Sequence, residues 1–203
     1  MYKQTIEQFT ADLSSKNPVP GGGGACALAG ALASSLGSMT ASLTIGKKRY
    51  QDVEEEVKAL NRKSEVLRIK LLTDINLDAE SFLPLSKAWS MDKNNPDREK
   101  IMEQCLITAS EGPLTILKDI CQVIELLERY ALTVSKTAIS DIATAAMLAY
   151  GALYGCSINV KVNTRLLKDR AFASEKNRQV DELVDKYAPT AQKIFDDINR
   201  EMI

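Results

Sequence analysis

The sequence predicts an all-α protein, an up-and-down bundle of several helices with small-residue helices at its centre. Apolar residues recur at helical three- and four-residue spacing along most of the chain, and no stretch is typical of a strand. Two helical runs consist largely of alanine, glycine, serine and threonine. At 203 residues, the chain can bury a substantial core, and we expect a single domain over residues 1–203.

Composition excludes several classes of function. A net charge of −1 provides no basic field for nucleic acid. The chain contains no histidine, so Ser–His and Cys–His nucleophiles are impossible, and we expect neither a metal nor another cofactor. The N-terminus lacks a signal-peptide pattern, and the cysteines do not form a Cys-x-x-Cys pair, which favours reduced thiols and a cytoplasmic location. The four cysteines are Cys26, Cys105, Cys121 and Cys156.

The first helix begins at a capping box, with Thr5 as N-cap and Gln8 three residues later. Ile6, Phe9 and Leu13 mark one face of this helix, which we expect to end before Pro18.

A glycine run follows, preceded by Pro18 and Pro20. Glycine permits positive φ and a close approach to another surface, and a helix N-terminus presents free N–H groups. This pattern indicates a site for a carboxylate, a phosphate or another electron-rich group, or else only a tight turn. It is not a P-loop or a dinucleotide fingerprint, because Ala25 and Cys26 follow the glycines and a helix precedes them. The glycines are Gly21, Gly22, Gly23 and Gly24.

The second helix, residues 25–45, carries two ridges. One consists of the smallest side chains, which let a partner helix approach closely: Ala25, Ala29, Ala33, Gly37 and Ala41. The other is made of large apolar residues: Leu28, Leu32, Leu36, Met39 and Leu43. Its apolarity is modest for a membrane span, so we expect a buried central helix and no membrane partner. Gly46 ends it, and Lys47 and Lys48 lie at its negative end.

The third helix, residues 52–89, places Asp78 on its apolar stripe. A buried carboxylate needs a partner, a ligand or a raised pKa. The alternative is a local twist that lets Asp78 reach solvent. Pro84, six residues later, predicts a bend near it.

Three further helices complete the chain. Asp97 caps the fourth, which we expect Gly112 and Pro113 to break. Ser140 and Asp141 open the fifth, the natural partner of the small-residue ridge, where Asp141 could simply be a cap. The last helix covers about residues 174–202.

Beyond the fifth helical run, Asn159 and Asn163 share a face if their segment is helical. Both could hydrogen-bond a polar heterocycle, or both could be turn residues.

Three stretches together resemble the cyclodeaminase/cyclohydrolase family of folate enzymes: residues 18–24, residues 43–50, and Ser140-Asp141 followed by residues 159–163. Residues 78–82 extend the resemblance over nearly the whole chain. The family includes the cyclodeaminase half of formiminotransferase-cyclodeaminase and the stand-alone methenyltetrahydrofolate cyclohydrolases. The resemblance implies an all-helical homodimer acting on a tetrahydrofolate derivative.

The resemblance also implies roles for particular residues. Asp141 matches the family's Ser-Asp motif and Asp78 its mid-chain aspartate, so both become candidate catalytic carboxylates, with Asp141 first. The four glycines, Lys47 and Lys48 match positions that fit substrate binding. The lysines could hold the glutamate tail or form a solvated helix end.

Two other functions stay open. A non-catalytic helical dimerisation or scaffold module would use the small-residue ridges for packing only and Asp141 as a cap. A different lyase or deaminase could share the fold. The sequence does not separate cyclodeaminase from cyclohydrolase, because both act on the same substrate skeleton.

Overall fold

In a computed structural model, residues 1–202 are described, and this part of the chain is helical without strands. Its six α-helices are α1 (Ile6–Leu13), α2 (Gly22–Ser42), α3 (Glu54–Trp89), α4 (Arg98–Thr133), α5 (Ile139–Thr164) and α6 (Arg170–Glu201). Short 3-10 helices, Lys48–Val53 and Lys136–Ala138, precede α3 and α5. The predicted all-α class is confirmed.

Helices α2 to α6 run alternately up and down, as side-chain bonds between neighbours show. Ser64 in α3 pairs with Tyr130 near the end of α4 at 3.0 Å. Thr164 at the end of α5 donates to Asn177 near the start of α6 at 2.7 Å. The core between these helices is aliphatic, and its fully buried members include Leu71, Ile75, Ile116, Leu117, Ile120, Ile124, Leu127, Ile142 and Leu153.

Thr5 and Gly46 act as predicted at the start of α1 and after the end of α2. The hydroxyl of Thr5 accepts from the Gln8 N–H at 3.1 Å, which confirms the N-cap of α1. Only Phe9 of the predicted α1 face is buried, whereas Ile6 is 76% exposed. Gly46 has φ of +80° after α2, the left-handed conformation that favours glycine.

The glycine run differs from the prediction, because Gly22, Gly23 and Gly24 form the first turn of α2 rather than a loop. Gly21 is the N-cap. None of these four glycines has a positive φ. Glycine is required for close approach at Gly22 and Gly23, where a Cβ would clash with Asn159 and Asp78, and at none of the four positions for a positive φ.

The predicted interruption of the fourth helix is wrong, because α4 continues through Gly112 and Pro113 to Thr133. Helix α5 continues from Ile139 to Thr164, so Asn159 and Asn163 are helical and share a face rather than lying in a turn. Asp97 is the N-cap of α4 but makes no side-chain capping bond.

Helix α2 turns its small side chains inward and its large ones outward. Ala27, Ala31, Ala33 and Ala41 lie in the core, together with Gly30 and Gly37. Of the large ridge, Leu32 is 47%, Met39 40% and Leu43 48% exposed, whereas Leu28 and Leu36 are partly buried against the core. Small residues let α5 and α3 approach closely. The outward ridge leaves an apolar surface that nothing in this chain covers among the residues described.

Two helical segments, Gly22–Ser42 and Lys136–Thr164, are long and apolar enough to cross a membrane by length and composition alone. About half of the most apolar window of each, 56% and 50%, is buried inside the bundle. Core helices of soluble proteins have the same properties, so this finding is weak support for a membrane span.

Candidate functional site

A cleft of about 130 Å³ opens where the start of α2 meets α3, α4 and the end of α5. Its floor is the backbone of Gly21, Gly22 and Gly23. Three polar side chains enter it, those of Asp78, Asn159 and Asn163. The walls are apolar and comprise Pro18, Val19, Phe82, Ala109, Pro113 and Val162.

Asp78 reaches the cleft from α3, and its carboxyl lies against the first turn of α2, whose N-cap Gly21 has no side chain to cap the helix. A Cβ atom on Gly23 would collide with this carboxyl. Burial raises the pKa of Asp78 to about 6, and the Gly24 N–H opposes that rise. The cleft thus holds a carboxyl group poised to exchange a proton near neutral pH.

Asn159 lies flat against Gly22. Its Nδ2 donates to the Gly155 carbonyl at 2.8 Å, one turn back along α5. A Cβ atom built on Gly22 would be 2.9 Å from this Nδ2, so glycine is required for the contact.

Asn163 lies one turn further along α5 and is bound to α4. Its Nδ2 donates to the Ala109 carbonyl at 2.9 Å and to the Asn159 carbonyl at 3.1 Å. Ala109 is four residues before Pro113, which has no N–H to donate to that carbonyl. The proline that was expected to break α4 instead creates the acceptor that holds Asn163.

The start of α2 adds donors to the cleft. The N–H groups of Gly22 and Gly23 belong to the first turn, where no partner exists within the helix, and the helix dipole is positive at this end. The cleft therefore combines hydrogen-bond donors, acceptors and one titratable carboxyl between apolar walls.

The other predicted site residues lie at the opposite end of α2 and α5. Lys47 donates through Nζ to the Ser135 hydroxyl at 3.0 Å, and Lys48 is exposed at the start of a 3-10 helix. Asp141 is half-buried in the first turn of α5, whose N-cap is Ala138, so it is not the cap. We call Lys47, Lys48 and Asp141 the distal group.

The structure separates the distal group from the cleft within one chain. Asp141 and Asn159 are 18 positions apart in one continuous helix. At 1.5 Å per residue, they lie about 27 Å apart along its axis. The two candidate carboxylates, Asp141 and Asp78, therefore do not share a pocket in a single protomer.

Sequence reasoning brought Asp78, Asn159, Asn163 and the glycines to one site but missed its apolar walls. Phe82 and Val162 looked like ordinary packing residues. The one available signal was Pro113, because a proline inside a helical pattern leaves a carbonyl in need of another donor.

Three comparisons place the chain among known proteins. The family model described as formiminotransferase-cyclodeaminase matches residues 5–182. The chain is 37% identical to the methenyltetrahydrofolate cyclohydrolase of Methylorubrum extorquens over 98% of both chains. It is 23% identical to the formimidoyltransferase-cyclodeaminase of Sus scrofa, of whose length it spans 37%.

A solved structure has the same fold. The crystal structure of formiminotetrahydrofolate cyclodeaminase from Thermotoga maritima superposes with a TM-score of 0.83 at 25% identity, covering 97% of this chain and 98% of that one. Together with the family match and the full-length similarity, this shows that the chain belongs to the formiminotransferase-cyclodeaminase family.

Proposed function

We propose that this protein is a folate one-carbon enzyme that hydrolyses 5,10-methenyltetrahydrofolate to 10-formyltetrahydrofolate. The full-length similarity to a methenyltetrahydrofolate cyclohydrolase supports this choice among the reactions of the family. The structural observation that carries it is the Asp78 carboxyl, whose pKa is raised to about 6 in a cleft with a helix N-terminus and two carboxamides.

The reaction needs charge stabilisation and proton transfer. Water attacks the cationic methenyl carbon and loses one proton, which gives a neutral hydroxyl adduct. The bond from that carbon to N5 then breaks as N5 gains a proton and the hydroxyl loses its own, so the formyl group forms and one proton is released to solvent overall. A carboxylate beside the one-carbon bridge stabilises the cation and can take the water proton and return it to N5. A positioned acid–base group of this kind contributes roughly 10²–10⁴-fold in rate.

Asp78 suits this role by geometry and by pKa. It enters the cleft beside the free N–H groups of α2, and a pKa near 6 leaves it largely ionised at neutral pH. The electrophile already carries a positive charge, so we expect no metal or prosthetic group to be required.

Cyclodeamination is the second candidate reaction. There, N10 attacks the formimino carbon of 5-formiminotetrahydrofolate and ammonia leaves, with the same need for proton transfer. The similarity in fold to the Thermotoga maritima cyclodeaminase favours keeping it.

We also propose that the working form is a homodimer, paired through the apolar face of α2 and α5. The exposed large residues of this face are Leu32, Met39, Leu43, Tyr154, Ile158 and Val162. The cleft lies at one end of the face and the distal group at the other. An antiparallel two-fold arrangement would bring the distal group of one protomer to the cleft of its partner.

This pairing supplies roles for the distal group. Asp141 would face the substrate as a second carboxylate, and Lys47 and Lys48 would bind the carboxylates of the glutamate tail. A cytoplasmic location, where reduced folates are used, is part of the same proposal.

One assay tests the function. Purified protein is given methenyltetrahydrofolate and, in parallel, formiminotetrahydrofolate, and absorbance of the methenyl chromophore is followed. Accelerated loss of absorbance from the first substrate is the expected result. Gain of absorbance with ammonia release from the second would establish the cyclodeaminase instead. No change with either, together with no folate binding, would favour a helical scaffold.

A further inference from the structure

We propose that Asn163 and Asn159 recognise the donor edge of the substrate's 2-amino-4-oxopyrimidine ring, and so make the cleft selective for the 2-amino group. This inference rests on the proposed function, since it assigns one part of a folate to one part of the cleft. It concerns which end of the substrate enters the cleft and which atoms contact it.

The carboxamide of Asn163 has a defined orientation. Both Nδ2 hydrogens are used, one for the Ala109 carbonyl and one for the Asn159 carbonyl. The residue is 6% exposed and lines the cleft. Among residues 1–202, no group donates to its Oδ1, which is not one of the fully buried atoms, so this acceptor is open to a ligand from the cleft.

Pro113 keeps this orientation in place. Because it has no N–H, the Ala109 carbonyl has no donor within α4 and depends on Asn163. Rotating the carboxamide to present N–H groups to the cleft would break both of its bonds and leave that carbonyl unpaired.

Asn159 and the α2 backbone complete the pattern. One Nδ2 hydrogen of Asn159 is bonded to the Gly155 carbonyl, and its Oδ1 lies with the carboxamide against Gly22. Two carboxamide oxygens are therefore available as acceptors on one side of the cleft, and the N–H groups of Gly22 and Gly23 are available as donors at the floor.

The pyrimidine edge of a pterin has the complementary pattern. Its 2-amino group and N3–H donate, and its O4 accepts. With the amino group and N3–H on the two carboxamide oxygens and O4 on the glycine N–H groups, the N5 side of the ring lies toward Asp78. A ligand without the 2-amino group leaves a buried acceptor unpaired, which sites of this kind discriminate against strongly.

The test compares two full-sized ligands, folic acid and its 2-desamino analogue, by isothermal titration calorimetry with the purified protein. We expect the wild-type protein to bind folic acid about tenfold or more tightly than the analogue. Equal affinities, or no measurable binding of either ligand, would overturn the inference.

A proline variant keeps the test independent of folding. Pro113→Ala restores the N–H for the Ala109 carbonyl and releases the Asn163 carboxamide, while alanine favours the helix. We expect the affinity ratio to fall toward one in Pro113→Ala and to stay unchanged in Pro189→Ala, a matched proline inside α6. An unchanged ratio in Pro113→Ala would contradict the proposal.

The methenyltetrahydrofolate assay separates this inference from the function beneath it. If the protein turns over methenyltetrahydrofolate but binds folic acid and its 2-desamino analogue equally, the proposed reaction stands and the recognition of the 2-amino group is wrong. If it binds folic acid much more tightly but shows no turnover, the recognition stands and the proposed reaction is wrong.

Discussion

The carboxyl group of Asp78 occupies the space that a side chain on Gly23 would need. This contact joins the middle of α3 to the first turn of α2 and also sets the position of the acid that lines the cleft. The absence of a side chain at Gly23 therefore permits both the packing of α2 against α3 and the position of the carboxyl in the cleft.

A methyl group at this glycine should damage the site. We expect Gly23→Ala to displace Asp78, to lower stability by about 1–3 kcal/mol through overpacking, and to reduce activity by more than the loss of folded protein explains. Thermal unfolding and the methenyltetrahydrofolate assay measure the two effects.

Gly21→Ala is the matched control, because no atom lies within 4 Å of a Cβ at that position. It should keep wild-type thermal stability, which is the property compared, since Gly21 also forms part of the cleft floor. An equal loss of thermal stability in the two variants would show that the Gly23–Asp78 contact has no consequence for packing.

A charge on the outward ridge of α2 should separate the homodimer. Leu32 is 47% exposed at the middle of the proposed interface, and burying a carboxylate there would be unfavourable. We expect Leu32→Glu to be monomeric by light scattering and inactive. Ile69→Glu, on an exposed face of α3 at 55%, should remain dimeric and active.

A mixing experiment tests whether the two protomers share each site. Asp78→Asn and Asp141→Asn are each expected to be inactive. If one site takes Asp78 from one protomer and Asp141 from the other, half of a randomised mixture is heterodimer with one intact site of two. About a quarter of wild-type activity should then return. No recovery would mean that the proposed two-fold arrangement is wrong.

A buried carboxyl pair between α3 and α4 should make stability depend on pH. Asp74 is 5% and Asp119 1% exposed, and Asp74 Oδ2 has no hydrogen-bond partner among the residues described. Burial, with the neighbouring Asp119 carboxyl, raises the pKa of Asp74 to about 7, although Lys70 opposes the rise. Lys70 itself bonds Asp119 at 2.5 Å.

The direction of the pH dependence of stability follows from which state, folded or unfolded, binds the proton. Between about pH 4 and 7 the folded protein holds a proton on Asp74 that the unfolded chain has lost, so stability falls as pH rises through this window. Asp74→Asn removes the penalty and can donate to Asp119. We expect it to stabilise the protein at pH 8 by on the order of 2 kcal/mol and to give no gain below pH 4.

Thermal unfolding across this pH range measures the effect. The exposed Asp52→Asn serves as control and should show no such trend. A gain for Asp74→Asn that is the same at every pH would contradict the assignment.

Much of the fold could be predicted from local patterns. The Thr5 cap, the long apolar stripe of α3 and the turn at Gly46 each depend on neighbours within a few residues, so the sequence displays them directly. The break predicted at Gly112 and Pro113 was wrong, because the hydrogen bond that a proline cannot make was taken to end the helix. Asn163, 50 residues later, donates to the freed carbonyl and makes the continuous helix tolerable.

The site was predicted less completely for two physical reasons. Asp78 was identified because a charge on an apolar stripe is conspicuous, and Asn159 and Asn163 because they are one turn apart. Asp141 was grouped with Asp78 through family resemblance, which carries no distances, and the length of α5 separates them in one chain. The outward direction of the large ridge of α2 was not predicted, because periodicity shows that a helix has two faces but not which one faces inward.

The most direct test of the account is the rate of methenyltetrahydrofolate hydrolysis by Asp78→Asn, measured from pH 5 to pH 8 beside wild type and the exposed control Glu80→Gln. We expect wild-type activity to rise through about pH 6, as the Asp78 carboxyl ionises, and then level off. Glu80→Gln should follow the same curve. Asp78→Asn should be folded and about 10²–10⁴-fold slower, and its activity should not show the rise through about pH 6. A folded Asp78→Asn with wild-type rate and pH dependence would show that the reaction does not depend on this carboxyl.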